Sequence, residues 1–255
     1  MRKIPSICVQ HGLIGSGDAM PVYATMQTVY GQYEREHYKK KGVQEKQLAI
    51  IGHPRFDQIF THQFVSRDVF LKKMGLKRSS HTLLIASQYS HTPSFWIPLL
   101  EQLKVSSIEI IFKPHPAEKK YKSNAQYHYL CKRYKNVHLL SDEFNLYDVL
   151  SIIDVVVSEL SAVSLEAMLF DKPAVFLKQK QTWNYDYVEK LTPLIQSDYE
   201  KIATIIKKLV SDVSFKEQAD QLREDFIAYA YPQKLSGKKL SDLIYNVTGE
   251  RRFLP

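Results

Sequence analysis

Short apolar runs rich in β-branched residues, each followed by a stretch with helical spacing, recur through most of this chain and leave few folds open to it. Ile7-Cys8-Val9, Thr28-Val29-Tyr30-Gly31 and Leu48-Ala49-Ile50-Ile51-Gly52 read as strands, with a polar helix predicted from Gln32 to Lys41. Thr82–Ala86, Ile108–Lys113, Val137–Leu140, Val155–Val157 and Ala174–Leu177 read the same way, with helices predicted over Phe95–Lys104, Ala125–Tyr134 and Leu146–Ile153. Strands buried on both faces are continuously apolar, and parallel neighbours need a crossover between them. The alternation therefore predicts an α/β fold: a Rossmann-like, doubly wound parallel sheet with helices on both faces.

The last quarter is helical. Ile202, Ile205, Ile206 and Leu209 share one face, as do Leu240, Leu243, Ile244 and Val247, both at the spacing of an amphipathic helix. A longer helix from Phe215 to Tyr231 stops at Pro232. All three are expected to cover the sheet. Residues 82–177 make a nearly complete doubly wound unit, whereas residues 1–57 supply only about three strands. The domain reading is a partial N-terminal Rossmann-like segment over 1–60, a nucleotide-donor-binding domain over 61–232 and a C-terminal helix over 233–255. On this reading the chain is one domain with an extension, or the later part of a longer two-domain protein.

Composition narrows the function classes. No run approaches the ~18 apolar residues of a membrane span, and the start, Met1-Arg2-Lys3-Ile4-Pro5, lacks the apolar stretch of a signal peptide. A cytoplasmic location is expected. Cys8 and Cys131 have no partner in spacing and are expected to be buried free thiols. The net charge of +8 is spread over many helices and favours anionic partners: a phosphorylated substrate, an acidic membrane surface or nucleic acid. No metal-ligand spacing, Walker loop or complete Gly-x-Gly-x-x-Gly occurs. Gly12, Gly15 and Gly17 only approach the last pattern, which argues against dinucleotide redox chemistry and ATP hydrolysis.

Chemistry is expected at loops that close predicted strands, because ligands of open parallel sheets bind beyond the carboxyl ends of the strands. The richest segment runs from Val155 to Met168. It reads as a strand that breaks at Ser158-Glu159-Leu160-Ser161 and opens a helix carrying Ser164 and Glu166. A helix start offers unpaired N–H groups to a phosphate or diphosphate. Ser161 and Ser164 add hydroxyl donors, and Glu166, one turn deeper, could accept from ribose hydroxyls. Glu159 is a candidate for the transferred group or the diphosphate loop. His11, beside Gly12, is a candidate general base, since histidine titrates near neutral pH; it reads equally well as a turn residue. Lys113 and His115 in Lys113-Pro114-His115-Pro116 could donate to a diphosphate, or form a structural loop. Arg55 in Gly52-His53-Pro54-Arg55 could hold a phosphate, or simply pair with Asp57.

Taken in order, His11-Gly12, Gly52-His53-Pro54-Arg55-Phe56-Asp57, Lys113-Pro114-His115-Pro116 and Ser158 to Ala167 resemble the bacterial surface-polysaccharide transferases of the GT-B fold. The nearest families are the CDP-glycerol glycerophosphotransferases of teichoic acid synthesis and the capsule polysaccharide glycosyltransferases. The resemblance covers roughly residues 7–178. It implies a metal-independent transferase that needs no cofactor and moves a glycosyl or glycerophosphate group from a CDP-, UDP- or CMP-linked donor. The acceptor would be a glycan or lipid-linked polymer, with peripheral contact to an anionic inner membrane face and no nucleic acid partner. The resemblance makes His11 the catalytic base and puts Lys113, His115 and Ser161 on the donor's diphosphate and Glu166 on its ribose; from the local reading, Glu159 is added to the catalytic candidates, and Arg55 and Ser164 to the donor-binding ones. Where the glycerophosphotransferases show Thr-Asp-Tyr-Ser, this chain has Ser158-Glu159-Leu160-Ser161, so a sugar nucleotide stands level with CDP-glycerol. The alternatives are an enzyme like UDP-N-acetylglucosamine 2-epimerase, or an inactive donor-domain remnant that serves as a binding partner.

Overall fold

A computed structural model describes residues 4–14, 22–78, 80–87, 92–121, 125–159, 161–178 and 186–249. The chain divides into two compact units: Met1–His62 with Asn184–Lys190 and Glu224–Pro255, and Gln63–Trp183 with Leu191–Arg223. Boundaries read from the sequence fall after 60 and 232. Here the first break comes after His62, and the last 32 residues belong with the N-terminal unit rather than forming a separate element.

The first unit opens with β1 (Ile7–Cys8) and β2 (Met26–Val29), crosses through α1 (Gln32–Lys40) to β3 (Leu48–Ile50), and ends in a 3-10 turn over Pro54–Asp57 and α2 (Gln58–Thr61). The three strands are parallel in the order β1-β2-β3. Ile14, Val29, Tyr38 and Leu48 form their small core. Because β1 is an edge strand, Cys8 is exposed rather than buried, and Cys131 is half-buried; both are free thiols. Gly15 and Gly17 lie outside the described residues.

The second unit begins with α3 (Arg67–Met74), N-capped by the Ser66 hydroxyl, which accepts from the Val69 N–H. β4 (His81–Ala86), α4 (Ile97–Leu103), β5 (Ile108–Lys113), α5 (Pro116–Tyr121), α6 (Ala125–Arg133), β6 (Val137–Leu139) and α7 (Leu146–Ile152) follow. Then come β7 (Val155–Ser158), α8 (Ala162–Leu169), β8 (Ala174–Leu177), β9 (Ile195–Gln196) and α9 (Tyr199–Ser211). All six strands are parallel, in the order β6-β5-β4-β7-β8-β9. This is the doubly wound arrangement, with the strand order reversing between β4 and β7. Leu83, Ile85, Ile110, Phe112, Val155 and Val157 pack with α4 and α9 residues Leu99, Leu103, Ile202 and Ile206. Leu84, Ile111 and Val156 are equally buried, which explains the unbroken apolar runs. Each such side chain contributes roughly 1.5–3 kcal/mol by leaving water.

α10 (Val213–Ala230) carries the chain back into the first unit, where α11 (Ser236–Thr248) closes it. The start of α11 is firmly held: the Ser236 and Gly237 N–H groups donate to the Asp57 carboxylate at 2.7 and 2.8 Å. Its apolar face is not covered as expected, since Ile244 is 44% exposed and Leu240, Leu243 and Val247 are half-buried.

The start of α1 is the tightest junction of the first unit. A Cβ on Gly31 would lie 2.2 Å from the Ala230 carbonyl oxygen, so only glycine allows the close approach. The Gly31 N–H donates at 3.1 Å to Glu34, whose side chain is buried. That burial pushes the Glu34 carboxyl up to about 7. Gly31→Ala should therefore cost about 2 kcal/mol or more in urea unfolding through overpacking. Gly12→Ala, with nothing within 4 Å of its Cβ, should stay within about 0.5 kcal/mol. For Glu34, the native carboxyl keeps its proton in a window where the unfolded one has lost it, so stability falls as pH rises from 4.5 to about 7. A shift of that size corresponds to about 3 kcal/mol. Glu34→Gln should remove most of this fall when unfolding is compared at pH 4.5 and pH 8; an unchanged pH dependence would contradict it.

Candidate functional site

The reversal of strand order sets where ligands of such a sheet bind. In register, Lys113, Ala86 and Ser158 stand side by side at the ends of β5, β4 and β7. The structure thus brings together two loops the sequence singled out, Lys113-Pro114-His115-Pro116 and the turn after β7. Ser161 is the N-cap of α8, in extended conformation at φ −150° and ψ 162°. Its hydroxyl oxygen is buried and has no hydrogen-bond partner among the described residues. A buried hydroxyl without a partner is costly unless a ligand supplies one, and α8 directs its unpaired N–H groups to the same end.

The other residues of this turn are placed differently. Ser164 is 1% exposed and its hydroxyl is bonded to that of Ser158, which also donates to the Glu159 carbonyl. Ser164 therefore locks the turn, whereas the Ser161 hydroxyl is not engaged in it. Glu159 is 7% exposed at the end of β7 and Glu166 is 1% exposed within α8. The Tyr147 hydroxyl donates to Glu166 Oε1 at 3.3 Å, so one partner of this buried carboxylate comes from the protein itself. Leu160 lies outside the described residues.

After β5, the His115 Nδ1 accepts from the Ala117 N–H at 3.2 Å. An imidazole whose Nδ1 accepts must, when neutral, carry its proton on Nε2. His115 is thereby set as an Nε2–H donor. The sequence did not point to the network beneath it. Glu118, Tyr127 and Ser87 are 2%, 2% and 7% exposed, from α5, α6 and the end of β4. Tyr127 donates to Glu118 at 2.6 Å and meets Ser87 at 2.7 Å, while Ser87 reaches Glu118 at 3.4 Å. Burial, and then the Glu118 carboxylate, push the Tyr127 hydroxyl pKa up. The network ties the start of α5, and with it the His115 turn, to the end of β4. The only sequence signal was a glutamate three residues past His115.

Two of the residues sought belong to the N-terminal unit instead. His11 is exposed after β1, and its carbonyl accepts from the Tyr30 hydroxyl at 3.1 Å. It lines a cavity of about 760 Å³ with Cys8, Gln10, Leu13, Gln27 and Tyr38. Gln10, buried beside it, fixes the loop by bonding the Gly12 carbonyl at 2.8 Å and the Tyr30 N–H at 3.1 Å. Arg55 is exposed on the Pro54–Asp57 turn, its guanidinium 5.3 Å from the Phe56 ring centre. Asp57 receives the two N–H groups that open α11. Among the described residues no group of three or more His, Cys, Asp or Glu could hold a metal ion, and no helix is long and apolar enough to cross a membrane.

Comparison with known proteins gives this geometry a family. No curated protein matches the chain by sequence. Among solved structures, a variant of the wall teichoic acid polymerase TagF superposes with a TM-score of 0.59 at 15% identity, over 88% of this chain and 58% of that one. TagF itself gives 0.64 at 15% identity, over 96% and 68%. The UDP-GlcNAc 2-epimerase from Neisseria meningitidis bound to UDP-GlcNAc gives 0.62 at 14% identity, over 88% and 62%. At such identities the likeness establishes the Rossmann-like fold of GT-B proteins, and the chain spans 58% of the length of the first of these structures. Residues 27–230, most of the chain and both of its units, match one family. The chain belongs to the CDP-glycerol:poly(glycerophosphate) glycerophosphotransferase family.

Proposed function

We propose that the chain transfers a glycerophosphate group from CDP-glycerol to a hydroxyl of a poly(glycerophosphate) acceptor. Beyond family membership, the observation that carries this reading is the buried, partnerless Ser161 hydroxyl at the start of α8. It lies on the turn after β7, at the start of α8, whose first N–H groups favour an anion. In the proposed reaction an acceptor oxygen attacks the phosphorus that bears glycerol. A new P–O bond forms, the phosphoanhydride bond breaks, and CMP leaves with the bonding electrons. The proton of the attacking hydroxyl passes to the His11 imidazole. Lys113, the His115 Nε2–H, the Ser161 hydroxyl and the N–H groups of α8 meet the charge that builds on the diphosphate, which supports a metal-independent reaction. Glu166 is assigned to the ribose and Glu159 to the hydroxyls of the transferred glycerol, since carboxylates accept from both. A cytoplasmic location belongs to the same proposal, as does peripheral attachment to an anionic membrane, which the net charge of +8 supports.

His11→Asn should lower transfer by about 10²- to 10⁴-fold, the span of a general base, while leaving CDP-glycerol affinity unchanged. Ser161→Ala should do the reverse and weaken CDP-glycerol binding. Product formation and calorimetric titration separate the two. Equal loss of binding in both variants would sink the assignment. UDP-GlcNAc binding in preference to CDP-glycerol would move the chain toward the epimerase reading.

A further inference from the structure

The Pro54–Asp57 turn repeats, in the N-terminal unit, a device found after β5. In both places a histidine closes the segment that follows a strand and proline comes next. In both, the imidazole Nδ1 accepts the N–H two residues on: Arg55 to His53 at 3.1 Å, and Ala117 to His115 at 3.2 Å. The backbone thereby selects one tautomer, and a neutral His53 presents an Nε2–H donor. The ring is held on several sides. The Tyr30 ring meets it edge-on with centroids 5.9 Å apart, and Phe56 lies at 5.5 Å. The Tyr231 hydroxyl accepts from the His53 N–H at 2.7 Å. Tyr30 joins this ring to the candidate base, since its hydroxyl holds the His11 carbonyl.

Of the charges that face this ring, Arg55 and His11 act in one direction and Asp57 in the other. Burial, then Arg55 and then His11, hold the His53 pKa below its usual value, and only Asp57 opposes them. The Asp57 carboxylate is occupied by the two N–H groups that open α11. His53 is thus a fixed donor near the exposed Arg55 side chain and the His11 imidazole, a set of groups suited to a phosphate oxygen.

We propose that His53 and Arg55 form an anion site for a phosphate group of the acceptor, next to His11 in the same unit. This rests on the transfer reading above. In a glycerophosphate polymer the terminal hydroxyl lies one glycerol away from the nearest phosphodiester. A site that grips that phosphodiester therefore brings the hydroxyl toward a neighbouring base.

Long-range ¹⁵N–¹H spectra of the full chain labelled at histidine give a direct test at pH 7, with His53→Gln identifying the resonance. His53 should appear as the neutral Nε2–H tautomer, and its Nε2 signal should shift on titration with sn-glycerol 3-phosphate. His53→Ala should weaken glycerol 3-phosphate binding tenfold or more. His53→Gln, whose amide N–H can stand in for Nε2–H, should weaken it no more than threefold. CDP-glycerol binding should be the same in all three proteins. An Nδ1–H tautomer, or an Nε2 signal indifferent to glycerol 3-phosphate, would overturn the proposal. A His53 shift with CDP-glycerol but not with glycerol 3-phosphate would make this a donor contact and overturn the acceptor assignment. Failure of the unaltered protein to bind CDP-glycerol counts against the transfer reading instead, and leaves the His53 result to be judged by the glycerol 3-phosphate arm.

Discussion

One carboxylate oxygen holds the junction on which the second unit depends. Asp154 Oδ2 accepts from the Thr82 N–H at 2.7 Å, the Thr82 hydroxyl at 2.9 Å and Arg67 at 3.1 Å. These contacts pin the start of β7 to the start of β4 and to the first helix of the unit. Arg67 extends the clasp to the carbonyls of Ile152 and Ser80. β7 reaches this place only after β5 and β6 have been laid on the other side of β4, so the two strands are neighbours in space and distant in sequence. With their starts fixed and their registers set, the far ends of β4 and β7 must diverge into loops that run opposite ways. That divergence is the physical origin of the ligand crevice, and Ser87, Lys113, Ser158 and Ser161 gather there as a consequence.

The two units present imidazoles by one means. Proline after the histidine frees no N–H of its own, and the next N–H bonds back to Nδ1. In both, backbone geometry chooses the tautomer. Three nearby carboxylates are engaged by the protein itself: Glu118 by Tyr127 and Ser87, Asp57 by the start of α11, and Glu34 by the start of α1.

Much of this was legible because it is local. A strand buried on both faces must be continuously apolar, and Leu83–Ala86 and Val155–Val157 show that directly. The turn from β7 into α8 was equally readable, since Ser161 and the helix it caps are adjacent. What escaped notice depends on residues far apart. Ser87, Glu118 and Tyr127 come from three elements, and Asp57 meets Ser236 and Gly237 across 179 and 180 positions. Ser164 illustrates the limit within a short segment: its spacing from Ser161 suggests a shared ligand, but one turn of helix carries it inward to Ser158. The reading of α11 as a covering helix failed because periodicity shows that a face is apolar without showing that anything lies over it. Cys8 failed for a related reason, since an edge strand looks like any other in sequence.

A crystal structure of the chain with CDP-glycerol bound would test the donor site most directly. The diphosphate is expected at the start of α8, with an oxygen within hydrogen-bond distance of Ser161 Oγ and of the His115 Nε2–H. A nucleotide bound elsewhere, with the Ser161 hydroxyl still without a partner, would contradict it.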